Sequence, residues 1–256
     1  MSERVLAGAE PFGADGGPEG VLLVHGFTGS PASLRPFAAH YAALGLSVRL
    51  PRLPGHGTSP ADLARRTWPE WVAEVDRALD ELRARCARVV VVGQSFGAAL
   101  AVHLAAGRPG DVHGLALLSP YLYDPRLLAL PLLRHVRRAA RGVGDDVARP
   151  GVTELAYPEI PVPALLQLAA FLRIARADLP RVRAPALVFR PGADHVIPRS
   201  NPRRVFRALG SARKELIDCP RSYHVISLDH DAEMVRDRVL QLFALLPGEP
   251  RTPGRG

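Results

Sequence analysis

Ser95 stands in Gly93-Gln94-Ser95-Phe96-Gly97, directly after the apolar run Val89 to Val92 and directly before the helix-like run Ala98 to Ala106. G-x-S-x-G between a strand and a helix is the pattern of a nucleophile elbow. The sharp turn lifts one hydroxyl above a sheet, where it can attack a carbonyl carbon. A serine hydroxyl is a poor nucleophile at neutral pH and needs a base beside it. Histidine fits, because its pKa lies near working pH. The histidine in turn needs a carboxylate that holds its tautomer and stabilises the imidazolium.

Both partners lie downstream. Asp194 sits in Arg190-Pro191-Gly192-Ala193-Asp194-His195, just past an apolar run expected to be a strand over Ala184 to Arg190. Loops at the C-terminal ends of strands are where open α/β sheets place functional groups. Asp218, at the end of the next expected strand, is the competing acid, but it falls awkwardly close to the base in sequence. That base is His224, in Tyr223-His224-Val225, between the last expected strand and the last expected helix. His195, His25 and His56 read as structural. The oxyanion formed in acyl transfer needs fixed N–H donors. The backbone N–H of Phe96 is one candidate. The other is that of Phe27 in His25-Gly26-Phe27-Thr28-Gly29, whose glycines allow close approach to a reacting carbonyl. No Gly-rich loop has phosphate-binding spacing and no metal-type spacing occurs, so neither cofactor nor metal is expected.

The elements that must hold these groups alternate between strand and helix, which argues for an α/β fold with a mostly parallel sheet of about six or seven strands. The 256 residues suit one large domain. Strands are expected over Gly20 to His25, Leu46 to Leu50, Arg88 to Val92, His113 to Leu118, Ala184 to Arg190 and Lys214 to Asp218. Ser30-Pro31 opens a helix with Leu34, Phe37, Ala38 and Tyr41 inward, closed by Gly45. Thr67 and Glu70 form a capping box ahead of Trp71, Val75, Leu79 and Leu82. Asn201-Pro202 caps a further helix, and Met234 to Leu246 carries the stripe of the last one.

The segment from Ser119 to Pro180 is far longer than a usual strand-to-helix connection. Its helical pieces, Arg126 to Arg141 and Ala164 to Ala177, and its shortage of strand-like runs are expected to form a lid over the site. The organisation expected is therefore a core of residues 1–120 and 181–246, a lid of 121–180 and a flexible tail of 247–256.

The net charge of +8 rests almost wholly on arginine spread along the chain, Lys214 being the one lysine. Without a nucleic-acid-binding signature, that charge reads as solvated faces, and no nucleic-acid partner is expected. Cys86 and Cys219 read as buried free thiols. No signal-like N-terminus or membrane-length apolar run occurs, so a cytoplasmic location is expected.

The chain resembles the bacterial monoacylglycerol lipases and carboxylesterases of the α/β-hydrolase superfamily. The similarity runs from Gly8-Ala9-Glu10-Pro11-Phe12 to the final helix. It includes Leu23 to Gly29, Leu50 to Thr58, Asp194-His195-Val196-Ile197-Pro198 and Ser222-Tyr223-His224-Val225. Glu154-Leu155-Ala156-Tyr157 and Leu165 to Ala169 resemble the lid of the monoacylglycerol lipases. The resemblance implies an α/β-hydrolase fold and a triad of Ser95, Asp194 and His224, in the family's chain order. It also implies oxyanion donors at Phe27 and Phe96, and Glu154 as an acceptor for glycerol hydroxyls or else a structural ion pair. Gln94, Phe96 and Ala98 depart from the family's usual residues. The implied activity is hydrolysis of carboxylic esters, monoacylglycerols first, without a cofactor. The same triad would also serve a thioesterase or acyltransferase, and a non-catalytic ligand-binding protein is the contrasting class. The expected partner is a small lipid ester, with transient contact of the lid with a membrane surface.

Overall fold

A computed structural model describes residues 3–130, 137–142 and 144–246. Seven strands form one sheet: β1 (Phe12–Ala14), β2 (Glu19–Val24), β3 (Ser47–Leu50), β4 (Arg88–Gln94), β5 (Gly114–Leu118), β8 (Ala186–Pro191) and β9 (Lys214–Cys219). Two short strands between β5 and β8, β6 (Ala139–Arg141) and β7 (Glu159–Pro161), pair apart from it. The order across the large sheet is β1-β3-β2-β4-β5-β8-β9. All neighbours in it pair in parallel except β1, which runs antiparallel to β3 with Phe12 opposite Leu50. β1 is too short to show a strand pattern, and it escapes the sequence reading. The mostly parallel sheet agrees with expectation, and its strands match the expected apolar runs to within a few residues.

The central strand shows why the runs are continuously apolar. Successive side chains of β4 point to opposite faces. Val89 and Val91 join one core cluster, and Val90 and Val92 join the other. The first cluster packs under α3 (Trp68–Arg83), α4 (Phe96–Gly107) and α5 (Val162–Asp178). The second packs under α1 (Arg35–Ala43) and α7 (Ala232–Ala244). A short α2 (Pro60–Leu63) precedes α3, and α6 (Asn201–Ala208) connects β8 to β9. α4 is apolar around most of its circumference because it is sandwiched between sheet and α5, with Phe96 stacked edge-on against Phe171 at 5.7 Å. The Glu70 carboxylate accepts the Thr67 N–H at 2.7 Å, as a capping box requires.

Three expectations need correction. Ser30 does not cap with its hydroxyl, which donates instead to the Leu155 carbonyl at 3.2 Å, and the chain enters α1 through a 3-10 turn at Pro31–Ser33. Asn201 is the first residue of α6 rather than its cap. Its side chain is buried against the 122–123 backbone, accepting from Leu122 and Tyr123 N–H groups at 3.0 and 2.7 Å. The helix expected over Arg126 to Arg141 is not continuous: Pro125–Ala129 is a 3-10 turn and Ala139–Arg141 is strand β6. β6 pairs antiparallel with β7, so the long segment between β5 and β8 carries a small two-stranded sheet. The expected tail, 247–256, lies outside the described residues, as do 131–136 of the expected helix.

Candidate active site

β4 delivers Ser95 at the C-terminal end of the central strand. The backbone there is left-handed, with φ 55° and ψ −114°, a costly conformation for a residue with a side chain. Its neighbours over-determine it. The Ser95 N–H donates to the Leu118 carbonyl at 2.9 Å, and its carbonyl accepts the Tyr121 N–H at 3.1 Å. The turn closes only because glycines flank it. A Cβ on Gly93 would lie 2.4 Å from the Gly97 carbonyl oxygen, and one on Gly97 would lie 2.1 Å from that of Val24.

Ser95, Asp194 and His224, separated by up to 129 positions, meet in one buried cluster. The Ser95 Oγ lies 2.9 Å from His224 Nε2, and His224 Nδ1 lies 2.8 Å from Asp194 Oδ2. Nδ1 carries the proton toward Asp194, which leaves Nε2 free to accept from the serine. The other Asp194 oxygen accepts from the Val196 and Ile197 N–H groups at 3.0 and 2.9 Å, which fixes the carboxylate. Burial alone would lower the His224 pKa. The hydrogen bond and charge of Asp194, helped by Glu154 and Asp146, outweigh it and raise the pKa above the ordinary histidine value. The ring is thus a stronger base held beside a hydroxyl. The competing acid, Asp218, faces solvent in an ion pair with Arg190.

The Phe27 and Phe96 N–H groups both border this cluster. Among the described residues neither donates a hydrogen bond to another loop. Edge-on packing of Phe27 against Phe96, Trp71 and His56, with centroids 5.5 to 5.6 Å apart, holds the loop. His25 braces the same loop from beneath: its Nε2 accepts the Leu53 N–H at 3.1 Å, and its Nδ1–H donates to the Gly26 carbonyl at 2.9 Å. Burial pushes His25 down to about 4, so it stays neutral. His56 is also buried, with its Nδ1 3.1 Å from the Pro54 carbonyl oxygen.

A cavity of about 250 Å³ opens over Ser95. Its apolar walls include Leu127, Leu130, Ile160, Leu165, Leu168 and Val196, most of them from the long insertion. Its polar lining includes Glu154, Gln94, Tyr121 and Asp124. The segment that carries Glu154 is sewn to the first loop, with the Tyr157 N–H on the Thr28 carbonyl at 3.0 Å and the Tyr157 hydroxyl on the Gly55 carbonyl at 3.0 Å. Glu154 Oε1 packs over Gly29, where an added Cβ would lie 2.9 Å from it. Among the described residues no Arg or Lys pairs with Glu154, which answers against an ion pair. Burial raises its carboxyl to about 7, with His224 opposing and Asp145 and Asp146 adding to the shift.

One residue of this region escapes the sequence reading. Asp146, from the insertion, accepts from the backbone N–H of His195 and of His224, at 3.0 and 3.3 Å. An Asp in a Gly- and Arg-rich stretch gives no signal of that role, because its partners are far away in sequence. His195, expected to be structural, has its Nδ1 2.7 Å from the same carboxylate.

A buried serine–histidine–aspartate chain beside an apolar cavity can support acyl transfer through a covalent intermediate. Comparisons with known proteins agree with the architecture. The chain is 42% identical over 247 residues to a thermostable monoacylglycerol lipase of Bacillus sp. (strain H-257), covering 95% of this chain and 98% of that one. A carboxylesterase of Bacillus subtilis (strain 168) is 22% identical, over 93% of this chain and 97% of its own. Among solved structures, one from a study of LipS and LipT, two metagenome-derived lipolytic enzymes, superposes with a TM-score of 0.90 at 39% identity. It covers 94% of this chain and 100% of that one. The monoacylglycerol lipase of Paleococcus ferrophilus shares the fold, with a TM-score of 0.76 at 23% identity over 92% of this chain and 99% of that one. The family profile of the alpha/beta hydrolases matches residues 21–237. With the sheet order, the elbow and the full-length relative in agreement, the chain belongs to the alpha/beta hydrolase family.

Proposed function

We propose that this protein is a serine hydrolase of carboxylic esters, acting on monoacylglycerols to release glycerol and a free fatty acid. The observation that carries the reading is the continuous contact from Ser95 Oγ through His224 to Asp194, at 2.9 and 2.8 Å. In this mechanism Ser95 attacks the ester carbonyl while His224 Nε2 takes its proton. The Phe27 and Phe96 N–H groups hold the oxyanion. His224 then protonates the departing glycerol oxygen, and water repeats the cycle on the acyl-enzyme. Asp194 stabilises the imidazolium throughout.

The monoacylglycerol assignment draws on the 42% identical relative and on the division of the cavity. Its apolar walls suit an acyl chain. The Glu154 carboxyl beside the Phe27 loop, paired with no Arg or Lys among the described residues, suits the hydroxyls of a glycerol leaving group. Residues 121–180 act as a lid on the core of 1–120 and 181–246, since they supply most of those walls. Leu128, 83% exposed on that insertion, is the point at which it would touch a lipid surface transiently. Among the described residues no helix is long and apolar enough to cross a membrane, and the reading places the enzyme in the cytoplasm.

The test is hydrolysis of glycerol esters of graded chain length by the parent and by Ser95→Ala. The parent turns over medium- and long-chain monoacylglycerols, and Ser95→Ala lowers kcat by about 10⁶-fold. Thioesters outrunning the matching oxygen esters would redirect the assignment to a thioesterase. Retained turnover in Ser95→Ala would overturn the mechanism.

A further inference from the structure

Asp146 is 5% exposed, and among the described residues no Arg or Lys pairs with it. A buried carboxylate without such a cation is costly unless several N–H donors surround it. Here the donors come from two loops that are about 30 residues apart. Oδ1 faces His195 Nδ1 at 2.7 Å, and Oδ2 accepts the His195 and His224 backbone N–H groups at 3.0 and 3.3 Å. The Asp146 carbonyl accepts the Val225 N–H at 3.1 Å. His195 directly follows Asp194, so one carboxylate from the insertion touches the loop of the acid and the loop of the base together.

Two further contacts reinforce the junction. The Ser119 hydroxyl donates to the His224 carbonyl at 2.7 Å, which holds that residue's backbone at its other end. Asp229 Oδ2 accepts the Ala148 and Tyr223 N–H groups, both at 2.8 Å, and so ties the insertion to the base loop a second time. The His195 ring packs edge-on against Tyr223 at 4.9 Å, closing the gap between the two loops.

We propose that Asp146 is a positioning residue, a carboxylate of the insertion that fixes the Asp194 and His224 loops in mutual register, so that the triad geometry depends on the insertion being docked. This rests on the reading of Ser95, His224 and Asp194 as the catalytic groups. It gives the insertion a second task besides walling the cavity: a shift of the 144–148 segment would loosen the base.

The charge of Asp146 adds a readout that mere scaffolding would lack. The groups acting on His224 are Asp194, Glu154 and Asp146, all supporting the imidazolium against burial. Removing one negative charge lowers the pH at which His224 becomes a free base.

The experiment measures kcat, KM, pH–rate profiles and Tm with a medium-chain nitrophenyl ester and the matching monoacylglycerol. Asp146→Ala is expected to lower kcat by about 10- to 100-fold, the scale of an ångström-sized misplacement, with KM changed less than about threefold. Asp146→Asn keeps the shape and one acceptor oxygen. It should recover most of kcat while its acid limb moves to lower pH. Asp178→Asn serves as the comparator, since that buried carboxylate pairs with His103 and Arg181 between α4 and α5, away from the triad. It should lower Tm and leave kcat and the acid limb in place. If Asp146→Ala does not fold, the acid limb of Asp146→Asn decides alone. Asp146 variants that lose only Tm, with kcat and the acid limb unmoved, would overturn the proposal. The catalytic reading fails separately, if Ser95→Ala hydrolyses the ester as the parent does.

Discussion

Glu154 shows how one side chain can face two demands. Its carboxyl lines the cavity with no Arg or Lys among the described residues paired to it, and burial raises it to about 7. The folded protein therefore holds the Glu154 proton more tightly than the unfolded chain does. The stability linked to that proton is present at low pH and is lost as pH rises from the ordinary carboxylate range through about 7. Glu154→Gln removes this linkage. Its Tm is expected to exceed the parent's at about pH 8 and to converge with it below about pH 5, as thermal melts across that range would show. Glu154→Ala, which leaves no acceptor, is expected to raise KM for a monoacylglycerol by about tenfold, the loss of one good hydrogen bond to a hydroxyl, and to change KM for a nitrophenyl ester far less. Equal effects on both esters would remove Glu154 from the glycerol site. That no arginine among the described residues pairs with Glu154 was not legible in sequence, because that depends on which arginines fail to reach it.

At the scale of elements, the elbow is the strained unit, and its glycines set its tolerance. A Cβ at Gly97 would strike the backbone carbonyl oxygens of Val24 and His25 at 2.1 and 2.6 Å, and backbone cannot rotate away. Gly97→Ala is expected to cost about 3 kcal/mol by overpacking, read as a drop in the denaturation midpoint, and to lower kcat as α4 is pushed from β2. An unchanged midpoint would mean that α4 sits more loosely than these distances imply. Strands β2, β4, β5 and β8 were legible as runs rich in apolar residues, β4 and β5 most plainly because both their faces are buried, while β3 and β9 were legible from shorter, mixed runs. β1, β6 and β7 were not, because three residues carry too little pattern to separate a strand from a loop. Asn201 misled for a related reason. Asparagine before proline reads as a helix cap, yet here tertiary contacts with Leu122 and Tyr123 claim the side chain.

Across the whole molecule, the sheet order places β4 in the middle and β8 and β9 to one side, so loops from three strands converge above Ser95. The order of the three groups along the chain made that convergence legible: a serine after a central strand, an acid after a later strand, and a histidine after the last. The walls of the cavity were less legible, since the insertion folds as a 3-10 turn, a two-stranded sheet and α5 with spacings that no single period captures. The central claim is that Ser95 carries the acyl group, and covalent labelling tests it most directly. After incubation with a fluorophosphonate, mass spectrometry of the digested protein is expected to find one adduct, on the peptide holding Ser95, with monoacylglycerol turnover falling in step with its stoichiometry. An adduct elsewhere, or turnover surviving complete labelling of Ser95, would contradict it.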